Sequence, residues 1–112
     1  MSRITTHVLD TSRGRPAAGV GVRLERRYGD TWQPVGEGRT DADGRARNLL
    51  ADDEPLGIET YRLTFEVGDY FAAHGVETFY PHVAIVFRAR GEEHYHVPLL
   101  LSPFGYSTYR GS

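Results

Sequence analysis

Along most of the chain, apolar and polar side chains alternate with a period of two, and Gly, Pro, Asp or Ser interrupts the run at intervals of about ten positions. A strand sends successive side chains to opposite faces, so this pattern predicts half-buried β-structure rather than amphipathic helix. The sharpest instance is residues 59–67, where Tyr61, Leu63, Phe65 and Val67 alternate with Thr60, Arg62, Thr64 and Glu66. Val20, Val22 and Leu24 alternate with Gly21, Arg23 and Glu25, and in residues 4–10 Ile4, Thr6 and Val8 oppose Thr5, His7 and Leu9. Val83, Ile85 and Phe87 form one face of a further strand whose other face carries Ala84 and Val86; being apolar on both sides, it is expected inside a sheet. Turns are predicted at residues 12–16, 28–30, 41–44, 90–92 and 103–105, which leaves room for about eight strands in an all-β sandwich. One segment departs from the rhythm. Asp69 can cap residues 70–74 and Gly75 can end them, which predicts a single short helix at the sandwich edge.

Composition narrows the function. The 112 residues make one domain, 1–112, able to hide about 65% of its unfolded surface in a single core. Thirteen basic residues against 15 acidic ones give a net charge of −2, with no like-charge run longer than Asp52, Asp53 and Glu54. Neither nucleic acid nor a membrane surface is an expected partner for so even a balance. The chain has no Cys, which excludes disulfides and thiolate chemistry; all its basic residues are Arg, which excludes a Schiff-base or P-loop lysine and a lysine isopeptide. The first ten residues lack the apolar block of a secretory signal, and the longest apolar runs, 83–87 and 97–101, are far too short to span a bilayer. A soluble, cytoplasmic protein is expected.

Few residue groups carry chemistry. His94 and His96 share one face of a strand, a spacing that suits a metal ion but equally suits two polar residues on a wet surface; the latter is favoured, and no metal or other cofactor is expected. His7 alone is a weak signal, His74 fits a helix C-terminus, and His82 follows Pro81 at a strand entrance. The segment opening at Asp41 and Asp43 resembles the start of a calcium loop, but Gly44 stands at the fourth position and Asp52, not Glu, at the twelfth. It reads as a turn that launches Arg45 and Arg47 onto one face of the next strand. Ser107 lies in no G-x-S-x-G elbow, so a serine hydrolase is excluded. The closing Tyr109, Arg110, Gly111 and Ser112 follow a turn and an apolar strand, and are expected to pair back rather than fray.

Together these segments carry a family likeness. Thr6-His7-Val8-Leu9-Asp10 with Arg13-Gly14 and Pro16, the Asp43-Gly44-Arg45 turn, the block from His94-Tyr95-His96-Val97-Pro98 through Ser102-Pro103, and the terminal Tyr109-Arg110-Gly111-Ser112 resemble the 5-hydroxyisourate hydrolases, the transthyretin-related enzymes of urate degradation. The likeness runs from end to end, and the terminal tetrapeptide is its most specific part. It implies a prealbumin-like sandwich of two four-stranded antiparallel sheets, a homotetramer built as a dimer of dimers, and sites in the channel between dimers. It also implies hydrolytic opening of 5-hydroxyisourate, a small purine-derived substrate, to 2-oxo-4-hydroxy-4-carboxy-5-ureidoimidazoline without metal. By the same resemblance His7, Arg45, His96 and Ser112 correspond to the catalytic set, with His7, Arg45 and Tyr109 contacting substrate; Arg47, His94 and Arg110 are neighbours with supporting roles. The hormone carriers have other residues in place of His7, Arg45 and His96.

The residue pattern agrees with that likeness. His96 alternates with Val97, Leu99 and Leu101, so if those fill the core it points outward. Either His7 or His96 would serve as the base that activates water, with Arg45 steadying the developing oxyanion. The rival readings are a non-catalytic carrier of a small aromatic ligand, which gains little from burying titratable groups, an adhesin-type sandwich, and a metal hydrolase using His94 and His96.

Overall fold

The alternating segments pair into two sheets that bury their apolar faces against each other. In the computed structural model, which describes residues 3–51, 53–91 and 93–111, the chain runs β1 (Ile4–Asp10), β2 (Arg15–Pro16), β3 (Gly21–Tyr28), β4 (Thr31–Arg39), β5 (Arg45–Ala46), β6 (Ile58–Phe65), α1 (Val67–Ala73), β7 (Val83–Arg90), β8 (Tyr95–Ser102) and β9 (Gly105–Thr108). One sheet has the order β4-β3-β6-β7, with every pairing antiparallel. The other has the order β2-β1-β8-β9, and β5 shares with β2 the free edge of β1.

The all-β sandwich with one short helix is therefore the fold, but the second sheet is not the purely antiparallel four-stranded layer expected. It holds a fifth, two-residue strand, and β1 and β8 run parallel over seven paired positions from Ile4↔Tyr95 to Asp10↔Leu101. Only a short hairpin forces neighbours to run antiparallel; β1 and β8 are joined through nearly the whole sandwich, which leaves their direction free.

The core follows the period-two pattern. Ile4, Val8, Val97, Leu99 and Leu101 from one sheet meet Val22, Leu24, Tyr61, Leu63, Phe65, Val83 and Ile85 from the other, closed by Leu49, Leu50 and Leu56 from the 47–57 connection. The helix begins at Val67, earlier than the expected 70, with Glu66 as a cap that makes no side-chain bond and Asp69 inside the first turn. Burial of Val67, Tyr70 and Phe71, spaced i, i+3, i+4, fixes its start rather than the capping expected of Asp69. Gly75 ends it as expected, at φ +68° with its N–H on the Ala72 carbonyl. β7, expected inside its sheet, is an edge strand with Val86 56% exposed, so its doubly apolar character is not explained by packing within one subunit. Among the described residues no helix is long and apolar enough to cross a membrane.

Where β1 leaves the sheet, Asp10 is buried and ties three segments together. Its carboxylate accepts bonds from the Ser12 hydroxyl (2.6 Å), the Tyr70 hydroxyl (2.8 Å) and the Ser12 and Arg13 N–H groups (3.1 and 3.2 Å). Burial by itself would raise its pKa; the bonds from Ser12, Tyr70 and Arg13 outweigh burial and hold it below the ordinary carboxylate value.

Candidate active site

β1 is the spine of the site because both its edges are paired. Thr5 lies opposite His96 and His7 opposite Pro98 on β8, while His7 lies opposite Arg45 on β5. Residues directly opposite across a ladder point to the same side. Thr5, His7, Arg45 and His96 therefore share the outer face, and Thr6, Val8, Ala46 and Val97, one position along, turn to the core.

The 41–44 turn sets Arg45 and His7 in place. Asp41 Oδ1 accepts the N–H groups of Asp43 (2.9 Å) and Arg45 (3.0 Å), and Oδ2 accepts Arg47 Nη1 at 3.2 Å. The Arg45 backbone bond, opposed by slight desolvation and reinforced by the Asp43 bond and the Arg47 and Arg45 charges, holds the Asp41 carboxyl below its usual range. Gly44 sits at φ +77°, and a β-carbon there would strike the Val8 carbonyl, so the turn can close onto β1 only with glycine. The Asp43 carbonyl lies 2.8 Å from His7 Nε2. A carbonyl only accepts, so Nε2 carries the proton and the lone pair of a neutral His7 is on Nδ1. Arg47, expected to continue the strand beside Arg45, lies past the end of β5 at Ala46, and its guanidinium is drawn back to Asp41.

His96 is partly buried on this face, with Nδ1 2.8 Å from the Thr5 hydroxyl. Burial, then the positive charge of Arg45, then His7 and His94, lower its pKa below the ordinary histidine value. All four effects disfavour imidazolium, so they hold the His96 ring toward its neutral form.

The tail pairs back as expected. Gly111 N–H donates to the His96 carbonyl at 2.8 Å, forming an isolated antiparallel bridge. Tyr109, 58% exposed, lines a groove of about 250 Å³ between the β7 and β8–β9 edges together with Val86, Phe87 and His96. The Arg110 guanidinium lies 4.9 Å above the Tyr95 ring and 3.3 Å from Glu93, so it braces the tail. Ser112 lies outside the described residues. His94 is exposed with Nε2 3.3 Å from the Thr5 hydroxyl, and His74 bonds the Tyr70 carbonyl through Nδ1 at 2.9 Å. Among the described residues no three His, Asp or Glu side chains are grouped as metal ligands. The sequence reading missed Thr5. Its signal was present, a small hydroxyl two positions before His7 on the same pleat face.

A two-sheet sandwich with imidazoles and a guanidinium gathered on one outer face defines a transthyretin-like protein with a polar site. A sequence model of the HIUase/Transthyretin family, HIUase denoting 5-hydroxyisourate hydrolase, matches residues 4–111, and the chain belongs to this family. It is 52% identical to a 5-hydroxyisourate hydrolase of Caulobacter vibrioides over 117 aligned residues, covering 100% of both chains. The structure of Klebsiella pneumoniae 5-hydroxyisourate hydrolase superposes with a TM-score of 0.84 at 38% identity, covering 97% of this chain and 98% of that one. Sea bream transthyretin in complex with thyroxine superposes with a TM-score of 0.90 at 31% identity, covering 97% and 94%. Backbone shape therefore does not separate hydrolase from carrier; sequence identity does, and it places the chain with the enzymes.

Proposed function

We propose that the chain hydrolyses 5-hydroxyisourate to 2-oxo-4-hydroxy-4-carboxy-5-ureidoimidazoline through the His7, Arg45 and His96 face, without a metal ion. The observation that carries this reading is the register that sets Thr5 opposite His96 and His7 opposite Arg45 on one outer face, with burial and the Arg45 charge lowering the His96 pKa. A base must be unprotonated to take a proton from water, and burial and Arg45 together keep the imidazole in that state. With Nδ1 engaged by Thr5, Nε2 is the nitrogen left for water. As water attacks the ring carbonyl, His96 removes one proton, and the Arg45 guanidinium steadies the charge that builds on the carbonyl oxygen. Collapse breaks the ring C–N bond, and the proton passes to the leaving nitrogen. The net change is addition of one water.

His7, its Nε2 spent on the Asp43 carbonyl, offers Nδ1 to orient substrate or water. Tyr109 and Ser112 are proposed to contact the substrate from the tail. On one subunit the set lies on an open sheet face, where bulk water would weaken the interaction between Arg45 and a forming oxyanion. Packing of the same face from another subunit, in a homotetramer arranged as a dimer of dimers, would close it. We place the enzyme in the cytoplasm.

The test generates 5-hydroxyisourate with urate oxidase and follows loss of its ultraviolet absorbance. The protein should accelerate the decay well above the spontaneous rate, and His7→Ala and His96→Ala should each lose about 10²- to 10⁴-fold while remaining folded. The carrier reading draws on the close superposition with thyroxine-bound transthyretin. An unaccelerated decay would favour it, and wild-type turnover in both variants would overturn the site.

A further inference from the structure

Thr5 is only 6% exposed, on the face that carries His7, Arg45 and His96. Its hydroxyl has a single proton and stands between two imidazole nitrogens, 2.8 Å from His96 Nδ1 and 3.3 Å from His94 Nε2. One hydroxyl can donate to only one of them, so the two rings are coupled through it. In the first arrangement Thr5 donates to a bare His94 Nε2 and accepts from His96 Nδ1–H, which leaves the His96 Nε2 lone pair free. In the second, His94 Nε2–H donates to Thr5, Thr5 donates to His96 Nδ1, and the proton of His96 resides on Nε2. Only the first lets His96 accept a proton from water.

We propose that Thr5 is a positioning residue that selects the His96 tautomer, relaying the state of His94 to it through one shared hydroxyl. This deepens, and rests on, the reading of His96 as the base. Around His96 stand Thr5 and His7 from β1, Arg45 from β5, His94 from the chain ahead of β8, and Gly111 from the tail. His96 Nδ1 has its hydrogen bond with Thr5, so Thr5 is the group that fixes which nitrogen holds the proton. A proton on His94 Nε2 removes the acceptor that Thr5 uses in the first arrangement, which frees the Thr5 proton for His96 Nδ1 and biases His96 toward the second.

Nitrogen-15 correlation spectra of histidine-labelled protein read the tautomer directly, independent of turnover. Wild type should show His96 as the Nδ1–H form. Thr5→Val, which keeps the side-chain shape, should give a mixture of forms, and Thr5→Ser should restore the wild-type pattern. In the absorbance assay Thr5→Val should lose about 3- to 10-fold in kcat with KM within about two-fold, the scale of one hydrogen bond that orders a reacting group. The acid limb of its rate profile should flatten from steeper than one proton toward about one, since His94 no longer reports to His96. If Thr5→Val folds poorly, His94→Ala removes the distal acceptor and should also yield mixed tautomers. A wild-type His96 pattern in both Thr5→Val and His94→Ala overturns the inference. Full turnover in His96→Ala overturns instead the reading of His96 as base, so the two failures are distinguishable.

Discussion

Gly111 is the residue through which the chain's tail reaches the histidine site, and substituting it tests how tightly that site is built. A β-carbon added at Gly111 would lie 2.7 Å from His96 Cδ2 and 3.3 Å from both His96 Cγ and the His96 carbonyl oxygen. Carbon atoms settle about 3.5–4.0 Å apart, so Gly111→Ala demands a displacement of about 1 Å. Gly111 does not adopt a positive φ, so the alanine meets no backbone penalty and the whole effect is steric. The ring cannot simply swing away, because Nδ1 is bonded to Thr5 at 2.8 Å. Either His96 is pushed off that bond, or the tail lifts from β8 and breaks the bond between Gly111 N–H and the His96 carbonyl. Misplacing a reacting group by 1 Å removes about 10²-fold from the rate. We therefore predict that Gly111→Ala loses about 10²-fold in kcat/KM for 5-hydroxyisourate. Its thermal midpoint should stay within a few degrees of wild type, since the residue lies outside the core. Turnover within about three-fold of wild type in a folded Gly111→Ala protein would refute the reasoning.

Arg45→Gln removes a charge that disfavours imidazolium at His96. The His96 pKa should rise toward its ordinary value, so the acid limb of kcat/KM moves to higher pH, while the rate falls by about 10²-fold through loss of oxyanion stabilisation. An unmoved acid limb would show that the guanidinium does not act on His96. Asp10 has a folded-state pKa below its unfolded value of about 3.9, so its stabilisation is present above that pH and is lost as pH falls through the folded value. Asp10→Asn should cost about 1.5–3 kcal/mol at pH 7 and show a shallower loss of stability below about pH 4. Denaturant melts across pH measure both, and parallel acid profiles for variant and wild type would contradict the assignment.

Much of the fold was legible because period-two alternation maps directly onto burial: Tyr61, Leu63 and Phe65 point inward, as do Val22, Leu24, Ile4 and Val8. The outward aim of His96 followed from the same rule. Other features were not legible in that alternation. Val67 continues the strand's alternation, yet its burial is shared with Tyr70 and Phe71 on a helix face. The parallel β1–β8 pairing joins segments about 90 residues apart, and the alternation within β1 does not reveal so distant a partner or its direction. Arg47 has the i, i+2 relation to Arg45 of a strand neighbour, but Asp41 offers its guanidinium a carboxylate at 3.2 Å and β5 stops short of it. The convergence of His7, Arg45 and His96 was supplied by family likeness, and the register Thr5↔His96 with His7↔Arg45 is its physical basis.

That register also explains how a single backbone can serve unlike tasks. Each residue of the candidate site has a core residue as its chain neighbour: His7 beside Val8, Arg45 beside Ala46, His96 beside Val97. The pleat separates the two sets, so the inward residues hold the sheets together whichever side chains stand on the outer face. A hydrolase and a thyroxine-bound transthyretin both superpose on this sandwich, and the pleat leaves the outer face free to vary without disturbing the inner one. The division is incomplete, and Thr5 shows it. Thr5 is an outer-face residue that is buried, and its hydroxyl holds the ring of His96, so chemistry and packing are joined there more closely than at His7 or Arg45. Substitution on the outer face should accordingly be tolerated by the fold more readily at His7 or Arg45 than at Thr5, where the site's own geometry is part of how the sheet is packed.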